Sequence, residues 1–140
     1  SFGMPRRTAN GVDFNRLLMV TAVLSRRLGL KLGNQDIMVN VTGGLKIDEP
    51  AADLGIALAI ASSFRDASVD RGLAVVGEIG LSGELRAVPQ LDRRVTEAAR
   101  LGFKRILTPR AGSKISPMPK DIEILAFNSL REAVERGMGA

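Results

Sequence analysis

Hydrophobic and polar positions recur along this chain with two different periods, which predict helices in some segments and strands in others. From residue 14 onward, apolar side chains fall at positions 14, 17, 18, 20, 24 and 28, the spacing of an amphipathic helix. Asp13 is a suitable N-terminal cap for this helix and Gly29 a suitable stop. The segment DIMVNV, 36–41, is rich in β-branched residues and predicts a strand.

The next segment, DEPAADLGIALAIASSF, predicts a helix over about 50–64. Pro50 suits the first helical position, and Asp48 or Glu49 is the expected cap. Because this helix is apolar nearly all round, we expect it to be buried on most sides.

The second half of the chain predicts a hairpin, two further strands and two further helices. LAVVGEI, 73–79, and ELRAV, 84–88, flank a glycine-containing turn and predict the hairpin. A basic amphipathic helix over 91–101, strands at 105–109 and 122–127, and a last helix over 128–136 capped by Asn128 follow. The pattern predicts a single α+β domain over 1–140, with an α/β-like mixed sheet and helices.

The composition removes several kinds of site. The chain has no cysteine and no histidine, which excludes disulfides, thiol nucleophiles, Ser-His-Asp triads and the usual zinc sites. No phosphate-binding loop pattern is present, so we expect no ATP hydrolysis by this chain alone. No apolar run approaches the ~18 residues of a membrane span, and no signal peptide is visible. The first residues resemble a cut inside a longer chain, and we expect a cytoplasmic fragment.

The net charge of +5 is unevenly distributed. Residues 1–33 carry +5, residues 34–85 carry −5, residues 86–120 carry +7, and the remainder carries −2. Two basic segments that fold onto one face would suit a polyanion such as nucleic acid. The alternative is that these arginines and lysines only solubilise helices.

Basic side chains also stand at predicted helix starts, where the helix dipole disfavours them unless an anion binds. This pattern gives a candidate set for contacts to DNA phosphates: Arg6, Arg7, Arg16, Lys46, Arg86, Arg93 and Arg94. Three of them have an alternative structural role as ion-pair partners: Arg16 with Asp13, Arg94 with Glu97, and Arg86 with Glu84 or Asp92. The basic segments contain few aromatic side chains on which bases could stack. Contact with the backbone of a duplex is therefore the better interpretation.

Three carboxylates near the helix start, Asp48, Glu49 and Asp53, admit two interpretations. They could form a cluster for a metal or for acid–base chemistry. Because no other ligands lie near them in the sequence, capping and dipole neutralisation is the preferred role. We expect no metal site and no catalytic residue in this chain.

The string GEIGLSGELRAV, 77–88, resembles a segment of the proteolytic domain of the Lon protease family. The resemblance runs without gaps from about Lys46 to Pro109 and implies the fold of that domain, which is similar to domain 2 of ribosomal protein S5. In that family a catalytic serine begins the helix at our position 51, and a catalytic lysine begins the helix after the hairpin. Ala51 and Asp92 occupy these positions here.

Both members of the Ser-Lys dyad are therefore absent, since a methyl group cannot attack a carbonyl and a carboxylate cannot replace the lysine. The nearest serines, Ser62 and Ser63, lie about three turns further along the helix, roughly 16 Å away. A residual hydrolase with an unrecognised Ser or Thr nucleophile remains an alternative.

A narrower resemblance covers essentially all 140 residues: FGMPRRTANGVDFNRLLMVTAVL, VNVTGGLKIDEPAADLGIALAIASS, GEIGLSGELRAVP and EAARLGFKR are similar to the C-terminal Lon-protease-like domain of the RadA (Sms) family of bacterial DNA repair proteins. This resemblance implies a pseudoenzyme domain that binds double-stranded DNA or branched recombination intermediates and supports assembly of a homo-oligomer, a hexameric ring in the full-length protein. A purely structural assembly scaffold without DNA contact is the alternative. The related Lon-like domain of magnesium-chelatase-like proteins is the nearest rival family.

The same resemblance implies an N-terminal zinc finger and a RecA-like ATPase core on the part of the parent that is absent here. ATP, magnesium and zinc are expected there, with none of these cofactors in this chain. The parent is expected to be a DNA-dependent ATPase, and RecA is a further partner that the resemblance suggests.

Overall fold

The computed structural model describes residues 4–112, 114–115 and 119–138. Within these ranges the chain forms eleven regular elements: β1 (Arg7–Asn10), α1 (Phe14–Leu28), β2 (Ile37–Asn40), α2 (Asp53–Arg65), β3 (Leu73–Val75), β4 (Glu78–Ile79), β5 (Leu85–Arg86), α3 (Leu91–Arg100), β6 (Arg105–Pro109), β7 (Glu123–Phe127) and α4 (Leu130–Gly137). A short 3₁₀ turn, Pro50–Ala52, leads directly into α2.

The strands form three small sheets with mixed strand directions. β1 pairs in parallel with β2, and β3, β6 and β7 form a parallel sheet in that order. β4 and β5 form an antiparallel hairpin. The predicted mixed α/β architecture is therefore confirmed. Helices lie in the connections from β1 to β2 and from β3 to β6, as parallel crossovers require.

Two clusters of buried side chains hold these elements together. The larger one joins α1, α2 and α4 through side chains such as Leu17, Leu24, Leu58 and Leu130. Each fully buried leucine contributes about 2 kcal/mol from the loss of contact with water. The smaller cluster lies under α3 and includes Ala51, as described below.

The ends of α1 agree with the sequence, whereas the helix starts at Pro50 and Leu130 agree only in part. The Asp13 carboxylate accepts a hydrogen bond from the Arg16 N–H at 3.0 Å, and Gly29 ends α1 with φ 71°. Glu49, one of the two predicted caps, occupies the cap position before the Pro50–Ala52 turn, but its side chain makes no capping hydrogen bond, and no side chain caps α2. Ser129, one residue after the predicted Asn128, caps α4 and accepts from the Glu132 N–H at 3.2 Å.

The structure corrects two further predictions about strands. Arg7, grouped above with basic side chains at predicted helix starts, begins a strand, β1, that the pattern did not predict. The segment 73–79 is divided between two sheets because Gly77 pairs with the start of α2: its N–H donates to the Ala51 carbonyl at 2.9 Å, and its carbonyl accepts from the Leu54 N–H at 3.0 Å. This change of partner ends β3 and redirects the chain into β4.

The longest helix is α1, with 15 residues, and no helix among the described residues has the length and apolar character that crossing a bilayer requires.

Candidate nucleic-acid interface

Ala51, at the first dyad position, lies in the 3₁₀ turn before α2 and is 5% exposed. It packs in one cluster with Val76 and with Leu91 and Val95 of α3. Its carbonyl is held by the Gly77 N–H, so the backbone here is fixed by the adjacent strand. The position that the resemblance to the Lon family assigns to the nucleophile therefore presents only a methyl group, packed against the apolar face of α3.

Asp92, at the second dyad position, lies in the first turn of α3 and is exposed. It follows Leu91, which packs in the same cluster as Ala51, so the structure brings the two positions that the resemblance pairs into one region. Its carboxylate accepts from the Arg93 N–H at 2.9 Å, a contact that satisfies a helix-start donor. Among the residues described, no group of three acidic side chains is placed to hold a metal ion.

Arg94 joins α3 to the loop that precedes Ala51. Its guanidinium pairs with the Glu49 carboxylate at 2.8 Å and donates to the Pro89 carbonyl at 2.8 Å. The expected alternative, a pair with Glu97, is wrong, because Glu97 pairs with Arg100 through a hydrogen bond of 2.9 Å. That pair lowers the pKa of Glu97 and raises the pKa of Arg100.

Arg16 is bound to a carboxylate that is almost completely buried. Its guanidinium donates through Nε to Asp53 Oδ1 at 3.1 Å and through Nη2 to Oδ2. Asp53 is 1% exposed and also accepts from the Ile79 N–H at 3.1 Å. The hydrogen bond to Asp53 is the main reason why the pKa of Arg16 is raised above its ordinary value. Asp53 thus connects α2 to α1 and β4.

This network corrects two expectations. Arg16 does not use its side chain to pair with Asp13, which instead caps the helix backbone. Asp53 does more than neutralise the helix dipole, because it is the buried partner of Arg16. A sequence signal was available: a carboxylate in a helix that is apolar nearly all round is buried, and a buried carboxylate needs a cation or several donors.

Arg86 lies on the hairpin, opposite Glu78 in the β4–β5 register. Its guanidinium is 3.4 Å from the Glu84 carboxylate, and both side chains are about half exposed. This contact is one of the two alternatives that the sequence offered for Arg86. The pKa of Glu84 is lowered, first by its own backbone N–H and then by the Ser82 N–H and Arg86. The same carboxylate occupies the space next to Gly80, where an added Cβ would lie 2.2 Å from it.

Lys46 and Arg93 are exposed and form no ion pair among the described residues. Lys46 borders a cavity of about 370 Å³ together with Asp13, Phe14 and Asp48 at the start of α1. Arg93 lines a groove of about 610 Å³ between α3 and β3. Of the candidate cations in this region, these two are the most available to a ligand.

Arg6 and Arg7 lie elsewhere. The Arg7 guanidinium donates to the Leu32 carbonyl at 2.9 Å, to the Arg6 carbonyl at 3.2 Å and to the Gln35 carbonyl. Arg7 begins β1, whereas Lys46 stands beside the bridge between Val12 and Ile47. Five residues of extended chain separate Arg7 from Val12, a distance of about 16 Å. The seven candidates therefore do not form one compact cluster.

Five of the seven are gathered around residues 46–53, which we term the 46–53 loop: Arg16, Lys46, Arg86, Arg93 and Arg94. Seven carboxylates lie in the same region: Asp13, Asp48, Glu49, Asp53, Glu78, Glu84 and Asp92. The local charge is therefore mixed, and the arginines that pair with Asp53, Glu49 and Glu84 are largely committed to holding the fold together.

Comparison with known proteins supplies the remaining information. A family model described as subunit ChlI of Mg-chelatase matches residues 8–112. The chain is 50% identical over 139 residues to the DNA repair protein RadA of Halalkalibacterium halodurans, and 48% identical over 139 residues to that of Bacillus subtilis. Each match covers 99% of this chain and 30% of the relative. RadA of Synechocystis is 47% identical over 90% of this chain and 26% of its own length.

The chain thus spans less than a third of the length of these relatives. The resemblance to RadA that the sequence motifs indicated is confirmed at 42–50% identity, and the family model accords with a Lon-like α/β fold. The magnesium-chelatase proteins, which the sequence motifs left as the rival family, are the proteins after which the matching family model is named. The chain belongs to the family described as subunit ChlI of Mg-chelatase, and nearly all of it is similar to a segment of the DNA repair proteins named RadA.

Proposed function

We propose that this chain is a non-proteolytic Lon-like domain of a DNA repair and recombination protein, and that it binds double-stranded DNA through phosphate contacts. The observation that carries the proposal is the 46–53 loop. Ala51 in this loop is buried, and Lys46 and Arg93, which form no ion pair among the described residues, stand at its borders. In this proposal Ala51 and Asp92, in the first turn of α3, take the two dyad positions. The similarity to RadA over nearly the whole chain supports the repair role.

Lys46 and Arg93 are the principal phosphate contacts in this proposal. Arg6 and the half-exposed Arg86 add to them, whereas Arg7, Arg16 and Arg94 act mainly by holding the backbone and the 46–53 loop in place. Because phosphate contacts carry no sequence information, binding is expected to be independent of DNA sequence. Each neutralised phosphate adds about 0.9 to the slope of log affinity against log salt concentration.

The test is a salt series of fluorescence anisotropy measurements with a labelled duplex. Lys46→Glu combined with Arg93→Glu should reduce affinity at low salt by more than tenfold and lower the salt slope by about 2. The control is Lys31→Glu with Lys120→Glu, which changes the net charge equally at two exposed positions away from the loop. Equal losses in the two double variants would show that the DNA affinity reflects net charge only and would overturn the assignment to this loop.

A second role, assembly of the chain with copies of itself, is favoured by a separate observation. Four large apolar side chains at the start of α1 and beside Lys46 are exposed: Phe14 (47%), Leu18 (39%), Leu45 (66%) and Ile47 (37%). Phe14 and Ile47 border one cavity, and Leu18 lies one turn from Phe14 on the same side of α1. We propose that this patch contributes to the contact between subunits of a ring.

Sedimentation of the chain over a range of concentrations tests this role. Phe14→Ser with Leu18→Ser should shift the chain towards monomer, whereas Arg93→Glu should leave assembly intact. If only Arg93→Glu disrupts assembly, the patch is not the contact. A scaffold without DNA contact predicts that assembly survives and that no variant changes DNA binding.

A residual serine hydrolase finds less support. The Ser62 hydroxyl donates to the Ala67 carbonyl, so the serine nearest to the former site is engaged in closing the end of α2. In a longer parent, we propose that an ATPase core and a zinc finger bind ATP, magnesium and zinc. Branched recombination intermediates and RecA are the partners proposed for that whole protein.

A further inference from the structure

The strand β7 is the last strand of its sheet, and among the described residues it pairs only with β6. On its other edge the chain just beyond β7 is already paired with the hairpin, because the Asn128 carbonyl accepts from the Leu85 N–H at 2.9 Å. Residues 124–126 of that edge have no strand partner in the part of the chain that the structure describes. An edge strand of this kind can accept a further strand from another polypeptide.

The hydrogen-bond pattern identifies the backbone groups that point away from β6. The Glu123 N–H donates to the Lys104 carbonyl at 2.9 Å, and the Phe127 carbonyl accepts from the Arg110 N–H at 2.8 Å. In a parallel pair alternate residues face the same neighbour, so Glu123 and Phe127 face β6. The N–H and carbonyl groups of Ile124 and Ala126 therefore point outward. They offer the alternating donors and acceptors that an added strand requires.

Three arginines line a groove along β7, and one of them, Arg105, belongs to the neighbouring strand β6. The groove of about 510 Å³ is lined by Arg105, Arg110 and Arg136 together with residues 124–127 of β7, and no carboxylate is among its lining residues. The Arg136 guanidinium lies over the Phe127 ring, 5.9 Å from the ring centre. Arg105 is partly neutralised by Asp70 at 2.8 Å, whereas Arg110 donates to the outward Ala126 carbonyl at 3.1 Å.

We infer that the β7 edge is a docking site for an extended acidic polypeptide segment, which adds a strand beside β7 and places its carboxylates against these arginines. This site is distinct from the 46–53 loop and does not depend on the proposed DNA binding. Strand addition of this kind takes its affinity from main-chain hydrogen bonds and its specificity from alternate side chains. The positive lining selects an acidic partner, because like charges across paired strands are unfavourable.

Two other occupants fit the edge less well. The DNA backbone offers only acceptors, so its phosphates would pair with the arginines and leave the outward Ile124 carbonyl without a donor. A second copy of this chain, pairing edge to edge, would bring the same three arginines of each copy together. The acidic segment alone satisfies both the backbone and the charges.

Arg110 sets the condition for binding. Its contact with the Ala126 carbonyl covers part of the edge, as charged side chains on edge strands often do to prevent unwanted pairing. An incoming carboxylate gives this guanidinium a stronger, charge-assisted partner, and the edge carbonyl is then released to the new strand.

The experiment uses a labelled, end-capped peptide of alternating glutamate and valine. Fluorescence anisotropy measures its binding to the chain, and NMR amide exchange follows the Ile124 and Ala126 N–H groups. We expect saturable binding and slowing of exchange at these two amides by at least about tenfold. The matched peptide with lysine in place of glutamate, and the glutamate peptide with alternate backbone N-methyl groups, should do neither.

Two variants separate the contributions of charge and backbone. Arg136→Gln should weaken the glutamate peptide by about threefold, whereas Arg26→Gln, an equal charge loss at an exposed position on α1, should not. Ala126→Pro removes an outward donor without removing a ladder bond to β6, and it should abolish the protection of Ile124. Arg136→Gln keeps the inference testable if the proline variant does not fold.

Three results would overturn the inference. Equal binding of the glutamate and lysine peptides would remove the role of charge. Protection of the same amides by duplex DNA, in competition with the peptide, would assign the groove to nucleic acid. Concentration-dependent protection without any peptide would assign the edge to a second copy of the chain.

Discussion

Replacement of Arg16 by glutamine distinguishes a residue that holds the fold from one that contacts DNA. The substitution removes the guanidinium that donates to both oxygens of Asp53. Asp53 is 1% exposed and would keep only the Ile79 N–H, 3.1 Å from its carboxylate. The variant therefore leaves a buried negative charge with one donor in place of three.

The size of the effect follows from the burial of the two partners. Loss of one member of a buried ion pair costs about 3–5 kcal/mol. The Arg16 side chain is 30% exposed, so water can enter part of the space that it vacates. We therefore expect the free energy of unfolding to fall by about 2–4 kcal/mol, which lowers the melting temperature of a chain of this size by about 10 °C.

Urea unfolding followed by circular dichroism measures this change. Adding Asp53→Asn to Arg16→Gln should recover part of the stability, because the neutral amide no longer needs a cation. Arg93→Gln is the matched control: it should change stability by less than about 0.5 kcal/mol but weaken duplex binding. Below its unfolding temperature, Arg16→Gln should bind duplex DNA within about twofold of the parent.

The opposite pattern would refute this reasoning. If Arg16→Gln unfolds at the same urea concentration as the parent chain and loses DNA affinity, Arg16 is a DNA contact and the ion pair with Asp53 contributes nothing measurable to stability.

Three further outcomes are expected. Ala51→Ser should lower the free energy of unfolding by about 1 kcal/mol, since it buries a hydroxyl. The new serine should not react with a serine-directed fluorophosphonate probe, because Asp92 cannot activate it. Labelling would instead support the hydrolase alternative. Ser129→Ala should cost about 1 kcal/mol in thermal unfolding, whereas Asn128→Ala should be nearly neutral; equal effects would contradict the assignment of the cap. Glu84→Gln should reduce the loss of stability on acidification below about pH 5. A carboxyl whose pKa is lowered on folding stabilises the fold above its unfolded pKa, and this contribution is lost as the pH falls through the folded pKa. An unchanged pH profile of stability would count against this.

The candidate site was only partly predictable from the sequence. The assignment of Ala51 and Asp92 to the dyad positions of the Lon family depends on residue identity in the motifs, and it stays a prediction. The roles of the arginines were not predictable in this way. Local spacing offered Asp13 and Glu97 as partners for Arg16 and Arg94, but the partners are Asp53 and Glu49, 37 and 45 positions away in the chain.

The sequence by itself determined the elements whose information is local. Helical periodicity with Asp13 and Gly29 as caps defined α1, β-branched residues located β2, and short apolar runs located β6 and β7. These signals work because side-chain period and capping chemistry act over a few residues.

Only the tertiary structure decided which elements meet. β1 is a short strand with no clear period of its own, and it forms because β2 supplies a parallel partner. The segment 73–79 divides because Gly77 exchanges hydrogen bonds with the start of α2. Charge partners and strand partners come from distant segments, and their energies depend on burial that the fold creates. For that reason a pattern of arginines in the sequence could suggest a polyanion but could not tell which of them the fold had already engaged.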